Sequence, residues 1–247
     1  MAIYHLSVKA VQRSKGQSAI AGAAYRAAAR LVDHQTGQIH DYGKKRGVAL
    51  AEIVVPEGCD WRPTREELWN AAEAAEKRKD ATLAREHVVA IPVELPQKLL
   101  LSMVRGYAID LAKRHGCAVD FAIHAPSAQG DQRNWHAHVY QTTRKVEGAG
   151  LGGKCDREKA GRKRSEDLAF ERERWARFCN KALEMAGSVA RVDHRSLAEQ
   201  GIDRAPSWHR GPAVTAMTRR GVVTDHQSRF DAAVADSAAA ATALDQE

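Results

Sequence analysis

Three histidines stand at a spacing that can do metal chemistry. His124 ends an apolar run, and Asn134-Trp135-His136-Ala137-His138-Val139 brings two more a short way on. On a strand, side chains at i and i+2 share a face, so His136 and His138 project together. If Ala118–His124 pairs antiparallel with Trp135–Thr143, His124 joins them at one end of a sheet. Three neutral imidazoles with open coordination positions suit a divalent ion acting as a Lewis acid. The bland alternative is three solvated histidines on a hairpin. The other histidines, among them His5, His34, His40, His87, His115, His194, His209 and His226, show no comparable grouping.

The elements that must position this cluster can be read along the chain. Ile3–Lys9 alternates as a strand, and Val11–Gln17 is a polar loop. Ser18 is placed to cap an alanine-rich helix that holds Tyr25 and runs to Val32. A hairpin follows, from TGQIHDY to VALAEIVV across the basic turn Gly43–Gly47. Pro63 and Thr64 open a charged helix, Arg65 to Arg78. Glu86–Ile91 reads as a buried strand, and a helix from Leu95-Pro96 reaches about Arg114. Strands Ala118–His124 and Trp135–Thr143 come next. Lys145–Arg164, rich in glycine and basic residues, reads as a mobile loop. A helix from Glu166 to Ala186 precedes an irregular basic segment, Arg191–Gly221. Asp231–Leu244 reads as a frayed helix or disorder.

Strands and helices without strict alternation predict an α+β fold, a central antiparallel sheet with helices packed on it, plus the irregular basic C-terminal segment. One domain of catalytic size is expected over residues 1–221, with an acidic alanine-rich tail over 222–247.

Charge narrows the function. The chain has 247 residues and a net charge of +7. The stretch from Val222 to Glu247 carries five acids against Arg229, or −4, which leaves +11 on residues 1–221. A basic body with an acidic tail is the footprint of a nucleic-acid binder. A three-histidine zinc hydrolase of small molecules would not explain it. No apolar run is long enough to span a bilayer, and MAIYHLSVKA lacks the regions of a signal peptide. A cytoplasmic protein without membrane insertion is therefore expected. Cys59, Cys117, Cys155 and Cys179 are scattered singly, which excludes a zinc knuckle and reads as reduced thiols.

Taken together, MAIYHLSVK…GQSAIAGAAYRA, Arg85-Glu86-His87…Ile91-Pro92-Val93-Glu94-Leu95, the His-x-His segment, Val192-Asp193-His194-Arg195-Ser196 and Gly201-Ile202-Asp203-Arg204 resemble the MobA/MobL plasmid relaxases. These belong to the HUH endonuclease superfamily, with its RRM-like palm. The resemblance runs in order from Met1 to about Gly221. It implies a catalytic tyrosine at Tyr25 and metal ligands at His124, His136 and His138. It implies strand-specific nicking at a transfer origin, with a 5′-phosphotyrosine, a free 3′ hydroxyl and reversal by rejoining. An HUH replication initiator, or a non-catalytic single-stranded DNA-binding module, is the alternative on the same scaffold.

A phenol with a pKa near 10 needs a base or an electrophilic phosphate. Glu86 and Glu94 are candidates to take its proton or to orient a histidine, although relatives carry a second acid where this chain has Val88. Asp120 shares His124's face by even spacing. The implied cofactor is a divalent ion, Mn2+ or Mg2+ first, with Zn2+, Co2+ or Ni2+ accepted by such ligands. Arg13, Lys15, Lys44, Lys45 and Arg46 are candidate phosphate contacts, as is the run Lys154, Arg157, Lys159, Arg162, Lys163 and Arg164. Trp135 and Trp208 can stack bases. The implied partners are single-stranded or supercoiled origin DNA, accessory relaxosome proteins and a type IV secretion coupling protein, with passage alongside the transferred strand.

Overall fold

The computed structural model describes residues 3–128, 131–158 and 164–202, with scattered positions between 214 and 235. In chain order its principal elements are β1 (Leu6–Gln12), α1 (Ala19–Ala27), β2 (Arg30–Val32), β3 (Ile39–Asp41), β4 (Val48–Val54), α2 (Arg65–Ala75), β5 (Thr82–Ala90), α3 (Gln97–His115), β6 (Cys117–His124), β7 (His136–Glu147), β8 (Gly150–Lys154) and α4 (Arg164–Met185).

The sheet order is β1-β5-β7-β6-β4. Each neighbouring pair is antiparallel, and β8 adds to the far end of β7. The expected α+β class with a central antiparallel sheet is what the chain adopts. β5, β6 and β7 have helices over both faces, so they do not show simple apolar–polar alternation. All eight residues of β6 are buried.

Strand parity sorts the core in two. Val89, Phe121, Ile123, Ala137 and Val139 point to one side and pack with Tyr107 and Leu111 of α3 and with Trp175 and Leu183 of α4. Ala84, Ala118 and Tyr140 point to the other and meet Ile20 and Ala23 of α1 and Leu68 and Trp69 of α2. Trp69 lies 4.3 Å from the Tyr140 ring and donates its indole N–H to Asp120 at 2.9 Å. Both aromatics are fully buried, so truncating either to alanine costs about 3–5 kcal/mol.

Several expected boundaries move. β1 starts at Leu6 and continues to Gln12 through the expected loop, because Val11 is buried against the second core. α1 stops at Ala27, short of Val32: Ala28 turns left-handed at φ 51, and Arg30–Val32 becomes a strand. The expected hairpin between 36–42 and 48–55 does not form. β3 pairs back onto β2, while β4 crosses to the sheet edge and pairs with β6. Gly47, at φ 89, lets the chain redirect there, and its carbonyl accepts from Ala125 N–H.

α2 has the expected Thr64 cap, closed by a capping box with Glu67, but ends at Ala75. Glu76 leaves the helix and pairs with Arg144 and Lys154. The loop expected over 145–164 is partly ordered, since β7 runs to Glu147 and turns through Gly148 into β8. Contacts divide the chain into two compact units, Met1–His194 and Arg195–Glu247. Most of the 231–244 segment and Trp208 lie outside the described residues. No helix among the described residues is long and apolar enough to cross a membrane.

Candidate metal centre and nucleophile

Strand register builds the centre. His124 of β6 sits directly opposite His136 of β7, and Ala122 opposite His138. Two residues of offset on one face place all three imidazoles together at one sheet end. Their ring centroids are 4.7–5.3 Å apart, and one nitrogen from each lies within 4.8 Å of the others.

Each ring has one nitrogen committed elsewhere. His136 Nδ1 donates to the Asn134 carbonyl at 2.9 Å, His138 Nδ1 to Glu86 Oε1 at 2.6 Å, and His124 Nε2 to the Arg26 carbonyl at 2.7 Å. A neutral imidazole has one donor and one acceptor nitrogen, so these bonds fix the tautomers. The lone pairs are left on His136 Nε2, His138 Nε2 and His124 Nδ1. Burial pushes His124 down to about 4, against the raising effect of its bond to Arg26, with His138, Lys45 and His136 also lowering it. Burial lowers His136 in the same way. Both are therefore neutral at pH 7. This donor set fits a divalent cation: three oriented imidazole lone pairs, with carbonyl and carboxylate partners behind them.

Glu86 is the charged partner of the set. It lies on the triad face of β5, where Arg26 Nε donates to Oε1 at 2.7 Å and the guanidinium also pairs with Oε2. Burial draws its pKa up. The bonds from His138 and Arg26 and the guanidinium charge outweigh that and hold it at about 2. Both oxygens are engaged. Glu94 lies beyond β5 in the approach to α3, with Oε2 buried and unpartnered and no bond to the triad. Asp120 points to the triad's side of the sheet but is taken by Arg65 and Trp69.

α1 brings Tyr25 to the same region and is secured at both ends. Ser18 caps it by accepting from Ala21 N–H, and Glu73 accepts from Ala19 N–H at 2.7 Å. At the other end the Arg26 carbonyl accepts a hydrogen bond from His124 Nε2–H, while its guanidinium holds Glu86 and lies 4.5 Å over the Tyr140 ring. Gly22, one turn earlier, leaves room for this, since a Cβ there would fall 2.6 Å from Arg26 and 2.9 Å from Tyr140. Tyr25 is 49% exposed. Its ring meets Tyr42 edge-on at 5.3 Å, and Lys45 Nζ sits 3.7 Å from its centroid while donating to its carbonyl at 2.9 Å.

The basic candidates separate. Lys15, Lys44 and Arg46 are exposed. Lys45 is half-buried against Tyr25. Arg13 does not reach out for phosphate: its guanidinium donates to the carbonyls of Glu73, Glu76 and Arg78. Arg157 is buried beside His87 and Gln141, and Lys154 pairs with Glu76. These three arrangements share a cause, since each cation supplies a partner to polar groups of the fold. Lys159, Arg162 and Lys163, and the side chain of Arg164, lie outside the described residues. Sequence reasoning missed Arg26, although it directly follows Tyr25 and stands four residues after Gly22 in the same helix.

Comparison with known proteins identifies the family. The chain is 40% identical to the "Mobilization protein MobL" of Acidithiobacillus ferridurans, over 93% of this chain and 66% of that one. It is 31% identical to the "Probable mobilization protein MobA" of Bifidobacterium longum, over 91% of this chain and 46% of that one. The chain thus spans less than two thirds of the length of these relatives. A solved structure titled "Molecular Basis of Vancomycin Resistance Transfer in Staphylococcus aureus" superposes with a TM-score of 0.68 at 29% identity, covering 79% of this chain and all of that one. Residues 17–220 match the MobA/MobL family, and the chain belongs to that family.

Proposed function

We propose that the chain is a DNA relaxase of the HUH type, nicking one strand at a plasmid transfer origin and holding it as a 5′-phosphotyrosine. The observation that carries this is the triad: three imidazoles, each tied through one ring nitrogen and with one nitrogen of each within 4.8 Å of the others, beside the helix that carries an exposed tyrosine. The mobilization names of the relatives favour the same reading.

A divalent ion held by His124, His136 and His138, manganese or magnesium first, supplies Lewis-acid polarisation of the scissile phosphate and neutralises its developing charge. Glu86 keeps His138 in the ligating tautomer and is a positioning residue in this reading. Arg26 ties α1 to that carboxylate and to His124. Lys45 fixes the Tyr25 ring and adds positive charge beside the phenol. The Tyr25 oxygen attacks phosphorus in line and gives up its proton to solvent, the bond to the 3′ oxygen breaks, and that oxygen takes up a proton from solvent and leaves as a free hydroxyl. The phosphotyrosine keeps the energy of the phosphodiester, so the 3′ hydroxyl can attack it and reseal the strand. Accessory relaxosome proteins and a secretion coupling protein are the partners this role requires.

The test is nicking of supercoiled plasmids, one bearing a transfer origin and one a replication origin, with and without chelator. The expected result is chelator-sensitive nicking of the first plasmid, with a covalent adduct that Tyr25→Phe abolishes while DNA binding persists. An adduct that survives in Tyr25→Phe, or full activity in excess chelator, refutes the reading. Preference for the replication origin makes the chain an initiator instead.

A further inference from the structure

On the side of the sheet away from the triad, α4 and the segment that returns from it line an open cavity of about 570 Å³. Arg174, Arg177, Lys181 and Arg191 line it, with Phe178, Asn180 and one acid, Glu184. Arg174 is already paired with Asp110. Arg177, Lys181 and Arg191 are exposed and have no acidic partner among the described residues. Arg177 and Lys181 are four apart on one helix face, where like charges repel each other unless an anion lies between them.

The cavity wall is built. Asn180 and Val192 exchange two hydrogen bonds, Nδ2 to carbonyl at 2.9 Å and N–H to Oδ1 at 2.8 Å, which fasten the returning segment to α4. Gly187, at φ 69, lets the helix end, and Ser188 N–H donates back to the Leu183 carbonyl. Arg191 is held in turn, its Nη1 donating to the carbonyls of Ser188 and Ala190 at 2.7 Å each. Phe178 is half-buried and backed by Tyr107 at 5.7 Å, so a firmly seated ring lies among the cations.

We propose that this cavity is a second DNA-backbone site, taking the phosphates of a single strand on the face of the molecule opposite the nicking centre. Cations on a preset wall beside an aromatic ring are the chemistry that single-stranded DNA meets in binding grooves. The inference rests on the DNA-processing role proposed above and extends it. Strand held here is strand the triad does not touch, so the site adds affinity without adding chemistry.

The test uses the full chain and a fluorescein-labelled, roughly 30-nucleotide single strand, with anisotropy measured from about 50 to 200 mM salt. Arg177→Gln with Lys181→Gln should make the negative slope of log K against log salt shallower by about 1.4, and adding Arg191→Gln by about 2, since each phosphate contact on a single strand contributes about −0.7. Manganese binding and Tyr25 adduct formation at saturating DNA should match the unaltered chain. An unchanged slope in the double and triple variants overturns the proposal, whichever anion the cavity then serves. If the slope flattens as expected but no adduct ever forms, the cavity stands and the nicking role fails.

Discussion

Glu86 and His87 are neighbours on β5, and they show the two faces of the sheet at their most different. On Glu86's side, histidine, acid and arginine meet in a half-open arrangement, with each of three imidazoles keeping one nitrogen free. On His87's side the histidine and the acid spend their polar atoms within the network, although Gln141 Nε2 in the same network is buried without a partner. His87 is fully buried, with Nδ1 3.0 Å from the Tyr107 hydroxyl and Nε2 beside Arg157. Glu171 is buried and accepts from Tyr107 and from both terminal nitrogens of Arg114. The lesson is that residue type does not separate a site from a core network. The separation lies in whether the histidine's own two nitrogens are both engaged.

The largest expected effects come from exchanging the two roles by mutation. His138→Ala should abolish stoichiometric manganese binding, with an affinity loss beyond the ~10–100-fold typical of an outer partner, while the melting temperature stays within a few degrees. His87→Ala should do the reverse. It opens a cavity and takes one partner each from the Tyr107 hydroxyl and Arg157, costing about 2–4 kcal/mol, and leaves metal affinity intact. Calorimetric titration and denaturant melts on the two proteins decide the matter. Equal loss of metal binding in both variants would erase the distinction between the faces.

A smaller effect sharpens the same contrast from the Glu86 side. Glu86→Gln keeps the shape but removes the charge that Arg26 and His138 share. Metal affinity should fall about 10–100-fold, with His138 free to take its other tautomer. Glu94→Gln, beyond the end of β5, should leave affinity unchanged. If Glu94→Gln has the larger effect, Glu86 is not the residue that orients the triad.

How much of this was legible in the sequence depends on the range of the interactions. The triad could be read because strand parity is strictly two: once β6 and β7 pair, His124, His136 and His138 must share a face. The Ser18 and Thr64 caps were equally local. The pairing of β4 with β6, in place of β3, was not legible, since it turns on Gly47 and on a sheet edge supplied some seventy residues later. The inward turns of Arg13 and Arg157 were hidden for the same reason. A basic residue in a polar stretch reads as solvated until its buried partners, Glu73 for one and Gln141 for the other, are known. His87 looked like an ungrouped histidine because its partners come from α3 and α4, far along the chain.

That buried network makes the smallest prediction, which concerns pH. Burial pushes His87 down to about 3, and the positive charges of Arg157, His115 and Arg114 lower it too, while Glu171 opposes them. In the unfolded chain a histidine titrates near 6.5. Between these values the unfolded chain takes up a proton that the folded one refuses. Stability is therefore fully present above about pH 6.5 and falls as the pH drops through that window, by ~1.4 kcal/mol per unit, or about 2 kcal/mol at pH 5. Urea midpoints at pH 7 and pH 5 should be measured in chelator, so that metal release from the triad does not add a term of the same sign. His124 and His136 are also lowered, so the unaltered chain loses more than His87 alone explains. His87→Gln has no proton to take up, and its loss between the two pH values should be smaller by about 2 kcal/mol. If the two proteins lose the same amount, His87 is not held neutral in the fold, and engaging both its nitrogens does not keep the proton off.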